Sequence, residues 1–286
     1  MWPGCEIKLP VSDYDLDATM SSGQVFAWER CEDGWSGVVG GHRVTLRQVT
    51  GGIHAASAAA LLDWSRLRDF LQINVNLPAV LATFPDNDPH LRAAVDACHG
   101  LRLLRQDPWE CLASFILSST KQIVQIRQIV RILCERFGTP VVAGIGPRDA
   151  FAFPTARRIA SLTETDLRAC KMGFRAKYLL TAARRVEAGE LDLEAIRAMP
   201  LEVARDELMK LPGVGEKIAD CVLLFAYGFS KAFPVDVWVA RVLGSCYFKG
   251  RRTRPDQLRR FAARHFGPNA GYAQQYLFHY IRTKAG

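Results

Sequence analysis

The chain reads as an α+β protein, an antiparallel β-sheet region followed by a longer and mostly helical one. Three observations predict this. Up to about residue 60, apolar residues often alternate with polar ones and glycines recur, as half-buried strands joined by tight turns require. From about residue 58 the apolar spacing becomes helical. From residue 107 onward, segment after segment carries helix start and stop signals. The division is drawn as an N-terminal sheet domain with covering helices over 1–105 and a helical domain over 106–286. At 286 residues, 49% hydrophobic and 23% charged, the chain is long enough for a core and for more than one domain.

In the first region "QVFAWER", "WSGVVGG" and "HRVTLRQV" read as short strands of one antiparallel sheet. "AAALLDWSRLRDFLQI" and "HLRAAVDACHG" read as helices, the second stopped by Gly100. "DPWECLASFILSS" opens with Asp107 as N-cap, Pro108 at the first helical position and Glu110 at the third, a start resembling a capping box. "KQIVQIRQIVRILCERFG" lines up Ile123, Ile126, Val130, Leu133 and Phe137 on one face, and Gly138 and Pro140 close it. Eight further helices are expected, among them "ETDLRAC", "RAKYLLTAARRVEAG", "PLEVARDELMKL", "EKIADCVLLFAYG", "VWVARVLGSC" and "GYAQQYLFHYIRTKAG".

Composition excludes several classes. The formal net charge is +8 and the isoelectric point is near 9.2, which makes a polyanionic partner plausible. The eight cysteines form no C-x-x-C pair, so clustered-zinc spacing is absent. They read as reduced thiols of an intracellular protein. The start "MWPGCEIKLP" lacks a signal-peptide pattern, and no run of about 18 uncharged apolar residues predicts a membrane span.

The chemistry concentrates in "LMKLPGVGEKIAD", which has the shape helix, tight turn, helix. Gly213 and Gly215 allow positive φ and let another backbone approach. With Val214 between them they front the free amides of the second helix, a phosphate-binding arrangement indifferent to base sequence. A plain helix–helix turn is the other reading. Lys217 stands where this turn meets an apolar helix. It is either a solvated surface lysine or a nucleophile. A nucleophile needs the free amine, against a reference pKa of about 10.4, and desolvation by Ile218 and Cys221 would lower that value. Asp236, in "FPVDVWVARVL", precedes a helical run and reads as an N-cap. It is also placed to stabilise positive charge developing on a sugar or to move protons.

These features, with "SSGQVFAWE", "WSGVV", "LRLLRQDPWECLASFILSS", "MGFRAKY", "FPVDV" and "GYAQQYLF" in order along nearly the whole chain, resemble the 8-oxoguanine DNA glycosylases of the helix-hairpin-helix superfamily. The resemblance implies an N-terminal sheet domain and a glycosylase core of two helical subdomains. It implies a base-excision-repair enzyme that flips 8-oxoguanine out of duplex DNA, removes it through a lysine Schiff base, and nicks the strand by β-elimination. Lys217 matches the nucleophile and Asp236 its assisting carboxylate. Gly23 matches the glycine whose carbonyl accepts from the N7–H that guanine lacks; a lost partner there costs a few kcal/mol. Gln274 matches the reader of the base's Watson–Crick edge, and Phe278 and Cys221 the pair that sandwich the purine. Taken alone, Gln274 reads as a polar residue on the outer face of a C-terminal helix, and Phe278 and Cys221 as core. Phe174 and Arg175 match a wedge aromatic and an arginine that contacts the opposite cytosine. The resemblance further suggests a monovalent cation on the hairpin carbonyls, no other cofactor, no iron–sulfur cluster, and a monomer acting on double-stranded DNA.

The sequence departs from the family pattern in one segment above all. After "SS" the family has three asparagines, whereas this chain has Thr120, Lys121 and Gln122. Gln125 replaces a second arginine of the cytosine reader, and Trp238 replaces a phosphate-binding histidine. Two of three contacts to the opposite base are changed, so weaker discrimination among opposite bases is expected. Two alternatives stay open: a related glycosylase for other oxidised or alkylated purines, and a non-catalytic DNA-binding hairpin protein.

Overall fold

A computed structural model describes residues 5–57, 64–118, 122–141 and 150–284. The chain begins with strand β1 (Cys5–Pro10) and helix α1 (Leu16–Ser21), followed by β2 (Glu29–Cys31), β3 (Gly34–Val39), β4 (His42–Val49) and β5 (Gly52–Ser57). These five strands form one antiparallel sheet in the order β1-β5-β4-β3-β2. Alternation works as expected in β4, where Val44 and Leu46 point inward and their neighbours do not. Helix α2 (Trp64–Leu71) covers the sheet, and Leu67, Phe70 and Leu71 join its core with Leu9, Trp28, Trp35 and Ile53. The first six residues of the helix expected over 58–73 lie outside the described residues.

The segment "QVFAWER" is not a strand over its length. Only its last two residues enter β2. Its alternation has another cause: Val25 and Trp28 are buried in the sheet core, whereas Phe26 is buried in the helical core. The segment runs between the two cores and feeds both.

Helices α3 (Leu77–Leu81) and α4 (Pro89–Ala97) follow. They precede residue 105 in sequence but bury Leu77, Leu91 and Ala94 in the helical core. Then come α5 (Pro108–Leu117), α6 (Ile123–Phe137), the two-residue strands β6 (Pro140–Val141) and β7 (Ala150–Phe151), α7 (Ala156–Ala160), α8 (Glu164–Leu167) and α9 (Arg175–Glu187). Asp107 Oδ1 accepts from the Glu110 amide at 2.9 Å, but among the described residues the Glu110 carboxyl returns no bond. The capping box is therefore half made, and burial pushes the Glu110 carboxyl up to about 8. Helices α10 (Leu201–Met209), α11 (Glu216–Val222), α12 (Val237–Tyr247), α13 (Pro255–His265) and α14 (Ala270–Lys284) complete the chain. Helix α14 is central, packing on α4 and α12, and Tyr276 Oη donates to the Leu101 carbonyl at 3.1 Å. Among the described residues no helix is long and apolar enough to cross a membrane.

Candidate active site

The hairpin is α10, the turn 210–215 and α11. Gly213 has φ +85, and a Cβ there would strike the Tyr178 ring at 2.6 Å, so only glycine fits. Gly215 does not use that freedom: its φ of −101 and ψ of 179 are extended. As the residue preceding α11 it accepts from the Ile218 and Ala219 amides at 3.0 Å each, a geometry that needs no positive φ. Nothing lies within 4 Å of a Cβ added to it, so it is the open point of the turn. Val214 is buried. A buried ion pair braces the two helices: Arg205 Nε donates to Asp220 Oδ1 at 2.7 Å. Burial raises the Asp220 carboxyl to about 6 despite its arginine. From α13, Arg259 pairs with Glu216 at 2.5 Å.

Lys217, in the first turn of α11, is half-buried. Its Nζ donates to Ser118 Oγ at 3.1 Å and lies 5.5 Å from the centre of the Phe115 ring. Ser118 terminates α5, and its hydroxyl proton goes to the Phe115 carbonyl at 2.7 Å. A hydroxyl so committed can only accept from the lysine. Lys217 is thus held by one bond, not left as a solvated surface lysine. One turn on, Cys221 is buried, and burial pushes its thiol up to about 12, with Lys217 opposing and Asp236 adding to the shift. The thiol is neutral near pH 7 and is a poor nucleophile.

Asp236 does cap α12, accepting from the Val239 amide at 2.8 Å. Among the described residues it forms no salt bridge with Lys217. Trp238 is half-buried in the first turn of α12, with the Arg241 guanidinium 5.0 Å from its ring centre.

Gly23 has φ +82, and a Cβ there would meet Ile123 Cδ1 at 2.5 Å, Phe278 Cε1 at 3.4 Å and Arg282 Nη1 at 3.4 Å. The loop carrying it is tightly held. Gln24 Nε2 donates to the carbonyls of Thr19 and Arg102 and to Ser22 Oγ, at 3.0, 2.8 and 3.0 Å. Gln24 Oε1 accepts from the Leu104 amide at 2.8 Å, and Gln275 Nε2 donates to the Ser22 carbonyl at 3.0 Å. Gln274 is not on an outer face: it is 4% exposed, because α14 runs through the middle of the molecule, and its Oε1 is buried with no partner among the described residues. A buried amide oxygen without a donor asks for a ligand. Phe278 is half-buried on the same helix face.

The residues expected to meet the opposite strand are placed differently. Phe174, after Gly173 at φ +60, is 53% exposed. Arg175 is 3% exposed, with its guanidinium 4.5 Å from the Phe174 ring centre. Gln125 is exposed at the start of α6 and accepts from the Gln122 amide at 3.1 Å. Thr120 and Lys121 lie outside the described residues. Ser118 and Arg282 also stand at this site, and Ile123, expected only on the apolar face of α6, reaches Gly23. Arg282 had a visible signal, since Gln274, Phe278 and Arg282 recur every four residues on α14.

Comparison with known proteins places the family. Residues 6–112 match the 8-oxoguanine DNA glycosylase N-terminal domain, and residues 113–268 match the HhH-GPD superfamily of base excision DNA repair proteins. The chain is 29% identical to a probable N-glycosylase/DNA lyase of Methanothermobacter thermautotrophicus, covering 96% of each. It is 30% identical to the N-glycosylase/DNA lyase OGG1 of Arabidopsis thaliana, covering 95% of this chain and 78% of the relative. The 8-oxoguanine glycosylase/lyase of Clostridium acetobutylicum, solved with duplex DNA containing cytosine opposite 8-oxoguanine, superposes with a TM-score of 0.88 at 31% identity, over 98% of this chain and 99% of that one. Antiparallel sheet, helical hairpin and hairpin lysine thus occur together in a chain that belongs to the 8-oxoguanine DNA glycosylase family, within the helix-hairpin-helix superfamily of base-excision repair proteins.

Proposed function

We propose that the chain excises 8-oxoguanine from duplex DNA with Lys217 as nucleophile and then cuts the strand. It is a base-excision glycosylase with lyase activity, as its family membership supports. The flipped base enters between Cys221 and Phe278, gives its N7–H to the Gly23 carbonyl and its Watson–Crick edge to Gln274. The Lys217 amine attacks C1′, and the bond from C1′ to the base breaks with its electron pair leaving on the base. Loss of a proton from nitrogen and opening of the sugar ring give a Schiff base. Removal of a C2′ proton then expels the 3′ phosphate. Asp236 stabilises the positive charge on the sugar.

The observation that carries this reading is the hold on Lys217: its amine is bonded to Ser118 beside the buried Cys221 thiol. Borohydride trapping on 8-oxoguanine duplex tests it. The wild-type chain should give a covalent adduct and Lys217→Gln none; an undiminished adduct in the variant overturns the assignment.

The opposite strand is read loosely, through Phe174 and Arg175, with Thr120, Lys121 and Gln125 in the places of the family's cytosine readers. The hairpin turn grips the DNA backbone through Gly213, Val214 and Gly215, with Trp238 alongside. The Pro212 and Gly213 carbonyls take no backbone hydrogen bond among the described residues and are suitable oxygen ligands for a monovalent cation there. The chain acts as a monomer, inside the cell and on its DNA.

A further inference from the structure

Arg282 lies two α-helical turns beyond Gln274 and one beyond Phe278 on α14. Its guanidinium carbon is 5.2 Å from the Phe278 ring centre, and its Nη1 would stand 3.4 Å from a Cβ on Gly23. That nitrogen is buried and has no hydrogen-bond partner, and Arg282 makes no salt bridge among the described residues. Paired buried guanidinium groups occur elsewhere in the molecule: Arg102 donates to the carbonyls of Val75, Ser12 and Asp13. An unpaired buried charged donor is costly. Arg282 is also within electrostatic reach of Asp236, Arg127 and His279. The two arginines outnumber the single carboxylate, so this wall of the pocket favours an anion.

We propose that Arg282 is a further catalytic residue, whose guanidinium donates to an oxygen on the flipped purine and stabilises the negative charge the base acquires as it leaves. The inference rests on the assignment of Gly23, Phe278 and Lys217 to base excision. When the bond from C1′ breaks, its electron pair passes to the purine and spreads to the exocyclic oxygens. N7, which faces the Gly23 carbonyl, is bonded to C8, which bears O8, and to C5, whose neighbour C6 bears O6, so both oxygens lie on the same edge as N7. A donor beside Gly23 therefore faces one of those two oxygens. Gly23 selects the lesion by its hydrogen, and Arg282 stabilises the negative charge that departure leaves on the base. A fixed cationic donor aimed at developing charge lowers the barrier without prior reorganisation.

The test compares two substrates under single-turnover conditions with the full chain: a duplex containing 8-oxoguanine and the same duplex containing an abasic site. The abasic strand is cut through Lys217 but has no base to expel. Arg282→Met should slow excision of 8-oxoguanine about 30-fold or more and change abasic cleavage less than about threefold. Arg282→Lys, which keeps the charge, should recover at least about fivefold of the lost excision. Unchanged excision, or an equal loss on both substrates, overturns the proposal; the second result would mark Arg282 as a phosphate contact or a structural residue. Should Arg282→Met cut neither substrate, Arg282→Lys decides: selective loss of 8-oxoguanine excision supports the proposal, proportional loss on both overturns it. Abasic cleavage that survives Lys217→Gln would instead overturn the underlying reading, so the two failures are distinct.

Discussion

The residues proposed to hold the damaged base and those proposed to meet its partner strand are built to different standards. Around the pocket, Gly23 is fixed through Gln24 and Gln275, Lys217 is fixed by Ser118, and the hairpin is braced by Arg205 and Asp220. On the partner face, Phe174 stands in solvent, Arg175 lies beside its ring, and Gln125 is spent on the start of α6. Preorganisation concentrates what binding energy achieves. On the proposed assignments, the difference predicts strict discrimination of lesion from guanine and weak discrimination of one partner base from another.

The largest expected effect would break the pocket side outright. Lys217→Gln should lower single-turnover excision by about three orders of magnitude or more while duplex binding stays within a few-fold, since only the nucleophile is lost. Next comes the brace. Arg205→Met leaves the fully buried Asp220 without its arginine and should cost about 3–5 kcal/mol at pH 8 by denaturant titration. The loss should shrink toward pH 5. The carboxyl already sits at about 6 with its arginine in place, and without it rises further. A carboxyl raised above its unfolded value contributes most below the unfolded value, and that contribution disappears as pH rises through the folded value. A pH-independent penalty would contradict the buried charge.

Gly23→Ala sharpens the comparison rather than breaking it. Its φ of +82 and the 2.5 Å approach to Ile123 Cδ1 predict roughly a 10–100-fold loss of excision, with a stability cost of about 1–2 kcal/mol. The smallest effect is on the other face. Excision opposite cytosine, adenine, guanine and thymine should differ by less than about tenfold, the range one unsupported hydrogen bond commands. A preference for cytosine well above that would show a built partner-base reader and erase the contrast.

Much of the pocket was legible in the sequence because its groups are carried by short, ordered motifs. Lys217 and Asp236 sit at helix starts whose signals are local: the glycine turn and the capping carboxylate. Burial was less legible. Gln274 reads as an outer-face residue until α14 is seen running between α4 and α12, a matter of tertiary packing that no window of sequence contains. "QVFAWER" alternates like a strand because it serves two cores in turn, and periodicity alone does not reveal which core a residue enters. Both hairpin glycines allow positive φ, but only Gly213 takes it; at Gly215 glycine leaves space and not a turn. Arg282 carries a sequence signal of its own, its four-residue spacing from Phe278, but spacing alone does not say which face of α14 is buried.

The bonds that hold Gly23 reach from Thr19 and Ser22 to Arg102, Leu104 and Gln275. Domains fold as units, and Ala270, Tyr276 and Leu277 of α14 share one core with Leu112 of α5 and with Ala219 and Val222 of α11. The loop after the first helix, the hairpin and the last helix therefore stand or fall together: loosening α14 loosens the ground under Lys217 as well.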